Sequence, residues 1–214
     1  MTASTHFAAL LCSRLCHDLL SPVSALGNGL ELMASEKDSA MRAQCLELVE
    51  QGARASAARL KFFRLAFGAA GGSGQSVTAE ELRELLAGLA ADNGRLTLEW
   101  AVEPAMLSKA AAKVLLNLGA IGLDSLVRGG TLAIGAEHTG GQTEIAVRAT
   151  GPRIAFDAEI GRALSGEIAE DAATARTAPA VLIRLLAEEN GGELQHSLAS
   201  EALVLGAMLR DGDG

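Results

Sequence analysis

The stretch Leu15-Cys-His-Asp-Leu-Leu-Ser-Pro-Val-Ser-Ala-Leu26 decides how the chain begins. Turned at 100° per residue, it places Leu15, Leu19, Val23 and Leu26 on one side and His17, Ser21 and Ser24 on the other. Leu11, Leu30 and Met33 extend the apolar stripe, and Ser13, Arg14 and Asn28 extend the polar one. No glycine precedes Gly27, so the pattern predicts one helix from Thr5 to about Met33 that buries a leucine stripe and presents the His17 imidazole to solvent.

An exposed imidazole is substantially neutral near pH 7 and offers one nucleophilic ring nitrogen. Asp18 is the neighbour able to hold the proton of the other nitrogen, as the orienting carboxylate of a catalytic triad does. Pro22 falls five residues after His17, inside the helix, where it removes a backbone donor and crowds the Asp18 carbonyl. In a plain helix that costs about 3 kcal/mol, so a bend just below His17 is expected.

Working outward, the polar run Ser35–Ser39 breaks the helix, and a second helix follows from about Ala40 to Phe67. Its seam of Leu46, Val49, Ala53, Ser56, Leu60, Phe63 and Phe67 advances by threes and fours, as in a bundle. Two long helices joined by a short turn form an antiparallel hairpin. A bundle core needs about four helices, so either a second copy supplies the other two or the rest of the chain folds back over the hairpin. The symmetric dimer is the expectation.

The small, flexible run from Gly68 to Ser76 reads as a linker, dividing a hairpin at 1–67 from a second domain at 77–214. Beyond it, Thr78 with Glu81 opens a helix through about Leu89, and Leu96 to Val102 alternates as a strand. Ser108 caps a helix running to about Val127, and Thr131 to Ala149 forms a hairpin turning at Gly140-Gly141. Helices at Asp157–Leu164 and Ala178–Asn190, then strands at Glu193–Leu198 and Ala202–Leu209, complete the chain. Without strict βαβ order this half is expected to be an α+β layer of helices on a mixed sheet.

Composition narrows the function. The net charge of -8 and pI near 5.0 repel phosphate backbones, and no Lys/Arg cluster with interleaved aromatics offsets them, so nucleic-acid binding is not expected. Met1 precedes a polar TASTHF, and no apolar run approaches the roughly 18 residues that span a bilayer, so the expected setting is cytoplasmic, without a membrane. Cys12, Cys16 and Cys45 have neither disulfide nor zinc spacing and read as buried small hydrophobes. His6, His138 and His196 lack a neighbouring carboxylate with a downstream proline and read as structural or solvent-facing.

His17-Asp18-x-x-x-Pro22 on the polar stripe of a helix opening a hairpin resembles the H-box of sensor histidine kinases. The resemblance implies phosphate acceptance by His17, with Asp18 and Pro22 in its catalytic motif, in a dimeric four-helix bundle followed by a histidine-kinase ATPase-like α/β sandwich. The nucleotide motifs of that second domain have decayed. Lys113-Val-Leu-Leu-Asn117-Leu-Gly-Ala-Ile121 is similar to the N-box, but Ile121 takes the place of its second Asn. Val147-Arg-Ala-Thr-Gly-Pro-Arg-Ile154 carries Ala149 where the family recognises adenine with Asp, and Arg153 where it has Gly. The phosphate-binding glycines fall on Ala175, Thr177 and Pro179, and a proline has no N–H to donate.

A retained fold with a lost nucleotide site is similar to the ChpT-type histidine phosphotransferases, as is Arg59-Leu-Lys-Phe-Phe-Arg-Leu-Ala-Phe-Gly68. That likeness implies a phosphotransfer protein rather than an ATP-dependent kinase. It would pass phosphate from the receiver domain of a hybrid histidine kinase to His17, then to the receiver domains of response regulators. No cofactor or metal of its own is implied, Mg²⁺ being supplied by the receiver. Arg14, Ser21, Ser24 and Asn28 flank His17 and are the expected receiver contacts. The rival reading is a decayed kinase whose dimeric bundle only binds or sequesters a partner.

Overall fold

A computed structural model describes residues 3–68, 76–91 and 94–210. Apart from its two end residues, the expected linker at 68–76 lies outside them. The chain opens with helix α1, Ala3–Ser35, which continues through Pro22 without a break in its helical assignment, and returns in α2, Ser39–Ala66. Asp38 caps α2 by accepting the backbone N–H groups of Ala40 and Met41 at 2.8 and 3.0 Å, a contribution of about 1 kcal/mol.

The two helices cross closely where Gly52 faces Pro22. A Cβ at Gly52 would stand 2.9 Å from the Pro22 carbonyl oxygen and 3.0 Å from Leu26 Cγ, so only glycine permits this approach. Pro22 is buried at that crossing. The packed side of α2 is accordingly small and smooth, with Cys45, Gly52 and Ala55 buried along it.

The second half contains β1 Ser76–Thr78, α3 Ala79–Ala90, β2 Leu96–Val102, β3 Met106–Ser108 and α4 Lys109–Ser125. It continues with β4 Gly130–Thr139, β5 Gln142–Thr150, α5 Ala158–Leu164, α6 Ala178–Glu189, β6 Glu193–Leu198 and β7 Ala202–Arg210. Five strands form one sheet in the order β2-β4-β5-β7-β6, and β1 pairs with β3 in a separate two-stranded ribbon. The β2–β4 pair is parallel, with α4 lying between its strands in the chain, so the sheet is mixed as expected. The other pairs of the five-stranded sheet are antiparallel.

One face of the sheet is packed. Leu132, Ile134, Ile145, Val147, Leu203 and Leu205 are buried on it, while alternate residues such as Arg148 and Val204 face outward. Helix α4 fills the space beneath and is buried on nearly every side, from Ala111 to Ser125. It fits because Gly119 and Gly122 lack side chains where Leu86 and Leu132 press in; added Cβ atoms would lie 2.9 and 2.5 Å from them.

The hairpin is neither free of this domain nor fully covered by it. Phe7, Phe62, Phe63 and Ala66 join the main core, and Leu10, Leu11, Leu15 and Leu19 pack partly against it. Further along, the expected leucine stripe of α1 emerges: Val23 and Leu30 are each 51% exposed. On α2, Leu46 and Leu60 of the expected seam are likewise exposed. The reading of all three cysteines as buried holds for Cys45 alone, because Cys12 and Cys16 lie on the same uncovered side of α1 as Val23 and Leu30. Among the described residues, no helix is long and apolar enough to cross a membrane.

Candidate functional site

His17 stands on the open side of α1 with its side chain 81% exposed. Its Nδ1 lies 3.1 Å from Oδ1 of Asp18. A carboxylate can only accept, so this contact assigns the proton to Nδ1 and leaves the Nε2 lone pair directed at solvent. Asp18 is itself held: its side chain is only 15% exposed, and its Oδ2 accepts from Arg14 Nε at 2.7 Å, one turn earlier on the helix. Each oxygen of Asp18 thus has its own partner, and the pair of bonds fixes the rotation of the carboxylate.

Arg14 extends the chain of contacts into the second domain. Its second arm donates to Asp124 Oδ2 at 3.3 Å, across 110 positions of sequence. Asp124 lies on α4 one turn beyond Ile121, which is itself one turn beyond Asn117, so the three line one side of the helix. The sequence reading missed Asp124. The i, i+4, i+7 spacing from the N-box asparagine was the available signal.

Of the expected partner contacts, Ser21, Ser24 and Asn28 are exposed. Arg14 is turned inward onto two carboxylates. Pro22 faces α2 at the helix crossing and does not approach the imidazole side. Two of the remaining three histidines have partners elsewhere: His138 Nδ1 lies 3.2 Å from the Thr143 hydroxyl, and His196 packs against Phe156 with ring centroids 5.6 Å apart.

The positions corresponding to a nucleotide pocket surround a cavity of about 140 Å³ between the hairpin and the second domain. Asn117, Ile121 and Asp124 of α4 form one wall, and Arg176 and Pro179 another. Arg59, Phe62, Phe63 and Phe67 of α2 close it from the hairpin side. This is smaller than the roughly 300 Å³ at which pockets for drug-sized ligands begin. Ala149, where adenine recognition needs a carboxylate, is fully buried in the sheet. The loop before α6 also satisfies its own polar groups: the Thr174 N–H donates to the Thr177 hydroxyl at 2.9 Å, and Arg176 is bound to Asp157 at 2.6 Å. No group of three or more potential metal-ligating His, Cys, Asp or Glu side chains occurs among the described residues.

Comparison with known proteins agrees with this geometry. The family model of the histidine phosphotransferase C-terminal domain matches residues 79–202. Protein phosphotransferase ChpT of Brucella abortus (strain 2308) is 32% identical over 207 residues, covering 93% of each chain. A solved bacterial phosphotransferase superposes with a TM-score of 0.83 at 29% identity, covering 97% of this chain and 98% of that one. The histidine kinase AdeS of Acinetobacter baumannii is more distant, at a TM-score of 0.49 and 14% identity over 92% of this chain and 98% of that one. These matches define the class, a histidine phosphotransferase of two-component signalling. The chain belongs to the ChpT-like histidine phosphotransferase family.

Asp124 gives the site a measurable electrostatic signature. Desolvation pushes its carboxyl above the ordinary 3.8 and the nearby Asp18 adds to this, while Arg14 and Arg59 pull the other way. A carboxyl raised on folding binds its proton more tightly in the folded state. Stability therefore falls as pH climbs from about 3.8 through the folded value, and levels off above it. The side chain is still 71% open to solvent, so screening keeps the effect small. Thermal melts of wild type and Asp124→Asn between about pH 3.5 and 8 should show the variant gaining on wild type as pH rises, with the gap constant near neutrality. A gap that closes with rising pH would contradict this assignment.

Proposed function

We propose that His17 is the phosphoacceptor of a relay in which both the donor and the acceptor are receiver domains of other proteins. The observation carrying this reading is the Arg14–Asp18–His17 chain of contacts, which leaves one nitrogen of a solvent-exposed imidazole free for in-line attack. In the first step the Nε2 lone pair attacks phosphorus of an aspartyl phosphate on a hybrid kinase's receiver domain. The bond from phosphorus to the aspartyl oxygen breaks, and that carboxylate leaves. The Nδ1 proton stays in place, so the phosphorylated ring is cationic and Asp18 compensates its charge. In the second step a response regulator's aspartate attacks the same phosphorus, and the N–P electrons return to Nε2. Phosphoryl transfer of this kind depends mainly on positioning and charge stabilisation, the two things this chain supplies.

In this reading Ser21, Ser24 and Asn28 meet the receiver, while Arg14 acts through Asp18. Mg²⁺ comes with the receiver, and the protein requires no cofactor of its own. The small interdomain cavity and the buried Ala149 support a chain that does not phosphorylate itself from ATP. Partners of this type place the protein in the cytoplasm.

We also propose a homodimer. Cys12, Cys16, Val23 and Leu30 form an exposed apolar stripe along α1, and Leu46 and Leu60 are exposed on α2. The α1 set advances by four, seven and seven residues, which is bundle spacing that a second hairpin would cover.

Two experiments test these proposals. Incubation with a ³²P-labelled receiver domain should label the wild type but not His17→Ala, with neither labelled by ATP alone. An unlabelled wild type, a labelled variant, or labelling by ATP would each contradict the relay. In light scattering the protein should run at twice the 21.9 kDa chain mass, and the double variant Val23→Glu/Leu30→Glu should run at the single mass. A monomeric wild type would exclude the dimer.

A further inference from the structure

The contacts that hold the His17 imidazole do not end within the hairpin. His17, Asp18 and Arg14 share little more than one turn of α1, whereas Asp124, the last member of the chain of contacts, comes from α4. The relay chemistry as described uses the first three and gives Asp124 no task.

Asp124 is a firm end for this chain although its own side chain faces solvent. Its neighbours Gly122, Ser125 and Leu126 are buried, and the Ser125 hydroxyl donates to the Gly122 carbonyl at 2.7 Å, so the backbone beneath Asp124 is packed in place. The charged groups acting on its carboxyl are Arg14, Asp18 and Arg59, and Arg14 is the one that hydrogen-bonds to it. A long side chain such as Arg14 gives up much rotamer freedom when it is held in one position. Bound through Nε to Asp18 and through Nη2 to Asp124, its planar guanidinium is fixed at two points. Without Asp124 one point remains, and the guanidinium is free to turn about it. Asp18 Oδ2 then meets a moving donor, and the carboxylate holds the His17 Nδ1 proton less firmly.

We propose that Asp124 is a positioning residue of the His17 site, acting through Arg14 and Asp18 without touching the imidazole or the phosphoryl group. For its effect on transfer the proposal rests on the relay reading of His17. The second domain then contributes to the rate of phosphoryl transfer itself. A residue that only docks the receiver would instead change the receiver concentration needed, and one that only ties the two halves together would change the melting temperature alone.

Single-turnover transfer from a ³²P-labelled receiver domain to the full chain tests this. Asp124→Ala and Asp124→Asn should each lower the maximal rate about fivefold with the half-saturating receiver concentration unchanged, and Asp124→Glu, which keeps the charge, should recover most of that loss. Arg14→Met should also slow transfer, and adding Asp124→Ala to it should slow transfer no further. The proposal is overturned if Asp124→Ala transfers at the full rate, if only its half-saturating concentration changes, or if the two losses multiply in the double variant. A wild type that takes no label contradicts the relay reading instead, and the positioning is then read without it. In long-range ¹H–¹⁵N correlation of the unphosphorylated protein, the share of His17 carrying its proton on Nδ1 should fall in Asp124→Ala and Asp124→Asn and hold in Asp124→Glu. An unchanged share in all three overturns the proposal.

Discussion

Everything in this structure depends on α1 meeting three environments around one helix. One side is packed against α2 and the second domain, anchored by the approach of Pro22 to Gly52. A second side carries an apolar band that the chain itself leaves open. Between them runs the polar strip with His17. In the relay reading His17 needs a rigid base and open access together, and a helix packed on one side gives both. Gly52 sets how close the helices lie, so the register of the hairpin, and with it the direction His17 faces, follows from one missing side chain.

The second domain supports the hairpin. Its α4 helix presents Asp124 to Arg14, and phenylalanines of α2 line the space between the two halves. Ile121 lines the space between the two halves with an apolar side chain, and Ala149 is buried in the sheet. In the relay reading the benefit of the Arg14–Asp124 contact is an Asp18 whose orientation is fixed from both parts of the chain.

Much of this was legible in the sequence because long, strongly periodic segments announce themselves. The two helices, the capped starts at Thr78 and Ser108 and the Gly140-Gly141 turn fall where the pattern puts them. The ribbon of β1 and β3 was missed because strands of three residues are too short to show an alternation. The wheel of α1 separated polar from apolar but could not divide a broad apolar stripe into the half the chain covers and the half it leaves open. That is why Val23, Leu30, Cys12 and Cys16 emerged exposed. At the site, the contact between His17 and Asp18 joins neighbours in sequence and was readable from the motif. The Arg14–Asp124 contact joins residues 110 apart and needed the fold.

The account rests on a single assignment, that Asp18 holds the Nδ1 proton so that Nε2 is the nucleophile. Long-range ¹H–¹⁵N correlation on histidine-labelled protein, before and after phosphorylation by a receiver domain, measures this directly. The account predicts the proton of His17 on Nδ1 at the start and phosphorus on Nε2 afterwards. Phosphorus on Nδ1, or on His6, His138 or His196, would contradict it.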